Sequence, residues 1–92
     1  MTAKFSRGQL AMTSTAAAKL HREDVIKALM RHATGDWGEV SAEDWKRNDQ
    51  ALIDGYKLHS VYTDRHGVKF WIMTRADRSG TAILLPEDYQ LQ

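Results

Sequence analysis

The sequence predicts an α+β fold in two layers, with N-terminal helices packed on a three- to four-stranded antiparallel β-meander. Apolar residues recur at helical spacing up to about residue 55 and at every second position over about 56–86. A chain of 92 residues that contains no repeat or linker has the length of one domain. We therefore assign 1–92 to a single domain, with a helical part at about 13–55 and a β-meander at about 56–86.

The first helical stretch follows three hydroxyl residues at 13–15, which are good N-caps, and runs to Ala33. Residues 20–23 can divide it into two helices, because Glu23 and Asp24 suit a new first turn. Its later part carries one apolar stripe, made of Val25, Ile26, Leu29 and Met30. Before the helix, residues 8–12 can form a short edge strand.

The next helix has the clearest local signature. Ser41 followed by Asp44 resembles a capping box, and Val40 with Trp45 fits the hydrophobic staple. Gly55 is expected to end the helix in a left-handed cap.

Three strands are expected after that helix, at 57–63, 68–74 and 81–85, joined by turns at 64–67 and 75–80. The central one is apolar on both faces, which is typical of a buried strand. The helical stripe must cover one sheet face, since three strands alone would leave apolar surface in water. We expect one core, formed by Leu29, Met30, Leu52, Ile53, Phe70 and Ile72.

The composition excludes several classes of protein and site. The chain has no cysteine, which excludes a disulfide scaffold, a cysteine-ligated zinc site and a thiol nucleophile. No apolar run approaches the roughly 18 residues that span a bilayer, and the N-terminus lacks the apolar segment of a secretory signal. The four histidines have no metal-ligand spacing, so we expect surface or turn histidines and neither a metal nor a cofactor.

Charge is unevenly distributed along the chain. Six bases and two acids give residues 1–34 a charge of +4, while two bases and six acids give residues 35–55 a charge of −4. The candidate nucleic-acid-facing surface in the basic third consists of Lys19, Arg22, Lys27 and Arg31. The alternative is a solvated helix face on which Glu23 pairs with Lys27.

Two loops carry further candidates for partner or RNA contact. In the first, Asp36 and Trp37 lie between two glycines, and the indole either folds back on the core, which we favour, or anchors a partner. In the second, Arg75 and Arg78 flank small residues and can hold a phosphate, or Asp77 can pair with a neighbouring arginine.

An enzymatic alternative is a metal-free ribonuclease. Histidine would act as general acid or base, and arginine would stabilise the charge on phosphorus. The side chains available for it are His32, Arg78, Ser79 and Thr81. No acid–base pair is indicated by their spacing, so we expect no catalytic residues.

A resemblance goes further than these patterns. It is carried by 35–39, Asn48, Leu52, 55–56, Ser60, Tyr62, 70–72, 76–79 and 83–89. This set resembles small proteins of phages and mobile elements, and nearly the whole chain is similar to the phage-encoded anti-CRISPR proteins directed at the type I-F system. Those proteins share no functional motif, so the resemblance transfers no site residue.

The resemblance implies a non-enzymatic inhibitor in the cytoplasm of an infected bacterial host. It would bind the crRNA-guided surveillance complex and prevent target DNA from hybridising or being held. The implied partners are the Cas backbone subunits and the large subunit, with the crRNA as a further candidate contact and with no membrane and no small-molecule substrate. A net charge of +1 counts against DNA mimicry. The alternatives are a small nucleic-acid-binding or regulatory protein of a mobile element and, third, the ribonuclease-like enzyme.

Overall fold

Residues 3–89 are described by the structure, which is a computed structural model, and they form an α+β fold. The elements in chain order are β1 (Gln9–Met12), α1 (Ser14–Lys19), α2 (Arg22–Ala33), α3 (Ala42–Asp54), β2 (Leu58–Thr63), β3 (Lys69–Thr74), β4 (Gly80–Leu84) and α4 (Pro86–Tyr89).

The sheet has the order β1-β4-β3-β2 and is mixed. The antiparallel meander is confirmed for β2, β3 and β4, in which Ile72 lies opposite both Ser60 and Ile83. The fourth strand departs from the prediction, because β1 pairs with β4 in parallel, with Leu10 opposite Thr81. The chain passes through three helices between β1 and the meander, and such a long crossover permits parallel pairing.

The helix boundaries follow the local signals closely. Thr13 caps α1, and the helical stretch divides into two helices as predicted. The Ser41 hydroxyl accepts the Asp44 N–H at 3.1 Å to begin α3, and Gly55 ends it at φ 79°. α4 was not predicted, because a four-residue helix carries no apolar period; its proline occupies the first helical position.

The predicted core is only partly correct. Phe70 and Ile72 are buried, with Leu29 packed against their cluster. Leu52 instead packs on a second cluster, made of Trp37, Ala51 and Leu58. Met30 and Ile53 were wrongly placed in the core, since they are 57% and 78% exposed.

The reason for this error is the rotation of the helices. α2 turns Val25, Ala28 and His32 to the sheet, so that its larger apolar residues lie on the flank of its buried face. α3 buries Asn48 and Ala51 in the same way. The inner face of the sheet consists of alternate buried residues, Leu58, Ser60, Tyr62, Phe70, Ile72, Thr74, Thr81 and Ile83.

Candidate nucleic-acid interface

The four basic residues of the helices lie in different surroundings. Lys19 is 3.9 Å from Glu87, at the far end of the chain. Arg22 lies beside Leu20 in a surface groove. Lys27 and Arg31 lie four residues apart on one side of α2, as predicted, but only Arg31 has an ion-pair partner within 4 Å among the described residues.

Arg31 is held by the loop that follows its helix. Its Nε donates to Asp36 Oδ2 at 2.8 Å, and its guanidinium lies 4.9 Å from the centre of the Tyr62 ring. The hydrogen bond to Asp36 raises the pKa of Arg31, and the same bond lowers the pKa of Asp36. Asp36 also accepts the Gly38 N–H at 3.1 Å. The pair therefore fixes the loop, and less of the Arg31 charge is available to a phosphate.

Trp37 folds back on the core, which is the conformation that we favoured. Its indole is fully buried, and its N–H donates to Asp49 Oδ1 at 2.9 Å. The ring stacks on Phe5 and meets His32 edge-on, with centroid distances of 6.5 and 5.5 Å. The side chain offers no surface to a partner while the fold is intact.

Arg75 and Arg78 have different surroundings despite their spacing. Arg78 adopts φ 62°, and its guanidinium donates to the carbonyls of Ala51 and Tyr56 at 3.1 and 2.7 Å. It thereby satisfies carbonyl groups at the C-terminal end of α3. Asp77 accepts the Ser79 N–H at 3.0 Å, which closes the turn. Arg75 is exposed and lines a recess on the sheet.

His32 is a core residue, and the prediction of a surface or turn histidine is wrong for it. It is 1% exposed, with Nδ1 2.5 Å from the Ser60 hydroxyl and Nε2 2.9 Å from the Thr74 hydroxyl. Burial lowers its pKa to about 4, so the ring is neutral at pH 7. The sequence held a signal for this, since 25, 28 and 32 follow one helical face.

The sheet has a second face, turned away from α2, which was not singled out in the sequence. We call it the outer sheet face and define it by the alternate strand residues His59, Val61, Trp71, Met73, Ala82 and Ala11. These residues are half-buried or exposed, whereas their neighbours along the strands are mostly buried. A half-open apolar sheet surface of this kind can accept a flat ligand.

Three aromatic rings cluster on the outer sheet face. Trp71 makes edge-to-face contacts with His59 and Tyr89, at centroid distances of 4.6 and 5.7 Å. Tyr89 is 44% exposed, and Trp71 is half-buried. Exposed rings at a sheet surface are the platform on which single-stranded nucleic acids stack their bases.

Cations surround this cluster. Lys57 Nζ lies 6.0 Å from the centre of the Tyr89 ring, and Lys69 precedes Trp71 on the same face of β3. A recess of about 710 Å³ is lined by Lys57, Arg75 and Tyr89 among others, and none of the described residues that line it is acidic. The adjoining recess of about 630 Å³ includes Glu39 and Asp44, so the positive charge lies mainly toward β4 and β1.

His59 carries a buried polar atom beside the site. Its Nε2 is buried and has no hydrogen-bond partner among the described residues. Burial, with a smaller effect of Lys57, lowers the pKa of His59, which keeps the ring neutral at pH 7. Because this nitrogen is enclosed by the protein, His59 contributes its ring to the aromatic cluster and not a hydrogen bond to a ligand.

Comparison with family models, with curated proteins and with solved structures finds no match. Within residues 3–89, no group of three or more histidine and acidic side chains is placed to hold a metal ion. No helix in the described part of the chain is long and apolar enough to cross a membrane.

Proposed function

We propose that the chain is an anti-CRISPR inhibitor that binds the type I-F crRNA-guided surveillance complex in the host cytoplasm and prevents target DNA from hybridising or being held. The outer sheet face is the observation that carries the proposal, because it combines an aromatic cluster with cations, and the described residues that line the larger recess include no acid. The resemblance of the sequence to anti-CRISPR proteins selects this complex among assemblies that contain single-stranded nucleic acid.

The chemistry of the face fits the guide strand of such a complex. Unpaired bases can stack on aromatic side chains, and each such contact contributes about 1–3 kcal/mol. Tyr89 and Trp71 supply the rings. Lys57 and Arg75 line the same recess and are placed to meet the phosphates on either side of a stacked base.

The charge distribution favours direct contact with the guide and its protein subunits over imitation of DNA. A protein that imitates DNA must present a strongly acidic surface to the positively charged channel of the complex. This chain carries +1 overall, and its acidic segment 35–55 binds part of its charge internally through Asp36 and Asp44. An inhibitor that does not imitate DNA would bind the complex through contacts with both the guide and the protein subunits.

We expect the double variant Lys57→Glu, Arg75→Glu to bind the assembled complex at least about tenfold more weakly, because each removed phosphate contact weakens binding. The slope of log affinity against log salt concentration should become shallower, by the amount that corresponds to the loss of about two phosphate contacts. Tyr89→Ala should weaken binding with little change in salt dependence, since stacking releases few counterions. Affinity is measured at two salt concentrations, together with target DNA binding by the inhibited complex.

Two charge-reversed variants serve as comparisons. Lys46→Glu changes an exposed base on α3 and should leave affinity unchanged. Lys27→Glu with Arg31→Glu tests the helical surface that the charge distribution predicted. If this second variant loses affinity and the sheet variant does not, the interface is α2 and the outer sheet face is excluded.

The small nucleic-acid-binding protein remains the second candidate, because the same face would serve it. Binding of free single-stranded RNA with no effect on the surveillance complex would favour it. The ribonuclease alternative gains no support from His32, which is buried and has both ring nitrogens bonded.

A further inference from the structure

The two edges of the sheet differ in whether their outward-facing backbone groups have hydrogen-bond partners within the described part of the chain. At the β2 edge, Val61 donates its N–H to the Trp37 carbonyl at 3.2 Å and accepts the Glu39 N–H at 2.7 Å. The Asn48 side chain bonds both the carbonyl and the N–H of His59, at 2.8 and 3.0 Å. The backbone of this edge is thus covered, which is how proteins prevent unwanted strand pairing.

The β1 edge has no such cover among the described residues. Gln9 donates to Ser79 at 3.0 Å and Thr13 donates to Ile83 at 3.1 Å, so the alternation of a parallel ladder turns Leu10 and Met12 the other way. The N–H and carbonyl groups of these two residues face away from β4. All four residues of β1 are exposed. An exposed edge of this kind is a template for another strand.

An apolar groove lies between this edge and α2. It consists of two recesses of about 430 and 300 Å³, which share Leu10, Ile26 and Leu29. Its exposed apolar side chains are Leu10, Met12, Ile26 and Met30. Such a contiguous patch marks an interaction site rather than ordinary surface.

The groove is basic at both ends. Arg7 lines one recess and Arg22 lines the other, and the described lining of the two contains no acidic residue. Neither arginine is within ion-pair distance of an acid among the described residues. Arg7 precedes β1 in the chain, whereas Arg22 lines the same recess as Met12, the last residue of β1.

From these features we infer that β1 and the groove bind an extended segment of a partner protein, which adds to the sheet as a fifth strand. Alternate apolar side chains of that segment enter the groove, and acidic residues at its ends meet Arg7 and Arg22. Main-chain hydrogen bonds to Leu10 and Met12 provide affinity, and the groove provides specificity. The inference concerns contact with protein and does not depend on the outer sheet face.

A second copy of this chain is the less suitable occupant. Two copies related by a two-fold axis would pair their β1 strands antiparallel. That arrangement sets the Arg7 end of one copy against the Arg22 end of the other and concentrates four cations along one seam. Like charges across a strand pair are destabilising, whereas acidic ends on a different segment are complementary.

The test uses the full chain and a short synthetic peptide that alternates valine and threonine and carries glutamate at both ends. We expect saturable binding by fluorescence anisotropy, with no binding by the same peptide N-methylated on its edge-facing amides. Lysine in place of the terminal glutamates should weaken binding at least about tenfold, because the charges then repel Arg7 and Arg22.

Variants of the chain locate the site. Leu10→Glu and Met30→Glu should each weaken peptide binding at least about tenfold, and two positions guard against one variant that fails to fold. Ile53→Glu is the matched control, since it makes the same change at an exposed site on α3. Equal binding by the N-methylated peptide, or no effect of the groove variants, would overturn strand addition. A dimer in sedimentation that Leu10→Glu dissociates, without peptide binding, would assign the groove to a second copy.

Discussion

Trp37→Ala is expected to lower the free energy of unfolding by about 3–5 kcal/mol, the range found when a large buried aromatic is truncated. A chain of this length has about 5–14 kcal/mol in total, so the variant should be marginal at 37 °C. The indole is enclosed by Phe5 and His32, and the cavity it leaves lies between α3 and the sheet, where Leu58 also packs. Urea denaturation followed by circular dichroism measures the loss.

The matched variant Trp37→Phe separates packing from hydrogen bonding. It keeps an aromatic ring but removes the N–H that Asp49 accepts, and Asp49 is exposed and can bond to water instead. We expect a smaller loss than for Trp37→Ala, because no buried group is left unpaired. A variant with alanine that is as stable as the wild type, yet fails to bind the surveillance complex, would contradict the core role and make the indole a partner anchor.

The features predicted correctly from the sequence are those determined by neighbouring residues. Ser41 and Gly55 mark the ends of α3 because a cap needs only the few residues around it. The meander follows from alternation within each strand and from short turns. The parallel pairing of β1 with β4 joins Leu10 to Thr81, and no local pattern encodes a contact over that separation.

The buried face of α2 could be predicted from the sequence only approximately. On α2 the large apolar residues Ile26 and Met30 suggest a buried stripe, but the face that packs is the one through Ala28 and His32. Periodicity locates a stripe only to within about one residue, or 100° of rotation, and sheet contacts decide which side is inside. A histidine joins the core because Ser60 and Thr74 satisfy both its nitrogens.

Of the candidate interface, the sequence indicated only Arg75, for a related reason. Counting charge by segment emphasised the helical third, because Lys27 and Arg31 are close in sequence. Lys57, Arg75 and Tyr89 come from three separate segments and meet only when β2, β3 and α4 are in place. A surface assembled from distant segments leaves no local pattern in a single sequence, even though the sequence contains every one of its residues.

Acid is expected to destabilise the fold well above the range in which carboxylates titrate. The pKa of His32 is about 4 in the folded chain, against an ordinary 6.5, because burial disfavours the charged ring and His59 and Arg78 add smaller effects. At pH values between about 4 and 6.5, the His32 ring is protonated in the unfolded chain but neutral in the folded chain. Stability is therefore lost as the pH falls from about 6.5 to about 4, by about 3 kcal/mol at 1.36 kcal/mol per pKa unit.

Other groups titrate in the same direction but can be separated. Burial also lowers the pKa of His59, which adds to the loss in the same window. Hydrogen bonds to their carboxylates also lower the pKa of five aspartates, and that contribution is lost progressively as the pH falls below about 5. These residues are Asp24, Asp36, Asp64, Asp77 and Asp88. The decline between about pH 6.5 and 5 thus belongs mainly to the two histidines.

Urea denaturation of the wild type and of His32→Gln, at several pH values from 7 to 4, measures the effect. Glutamine can bond Ser60 and Thr74 but carries no titrating group, so the variant should be less stable at pH 7 and should decline less toward pH 4. The variant His59→Gln measures the part of the pH dependence of stability that comes from His59. A ring-proton titration of the folded wild type gives the pKa of His32 directly. A pKa for His32 near 6.5, or an unchanged pH dependence in a folded His32→Gln variant, would show that the ring reaches water. In that case the buried chain from Ser60 through His32 to Thr74 would open in solution, and the histidine would again be available to a ligand.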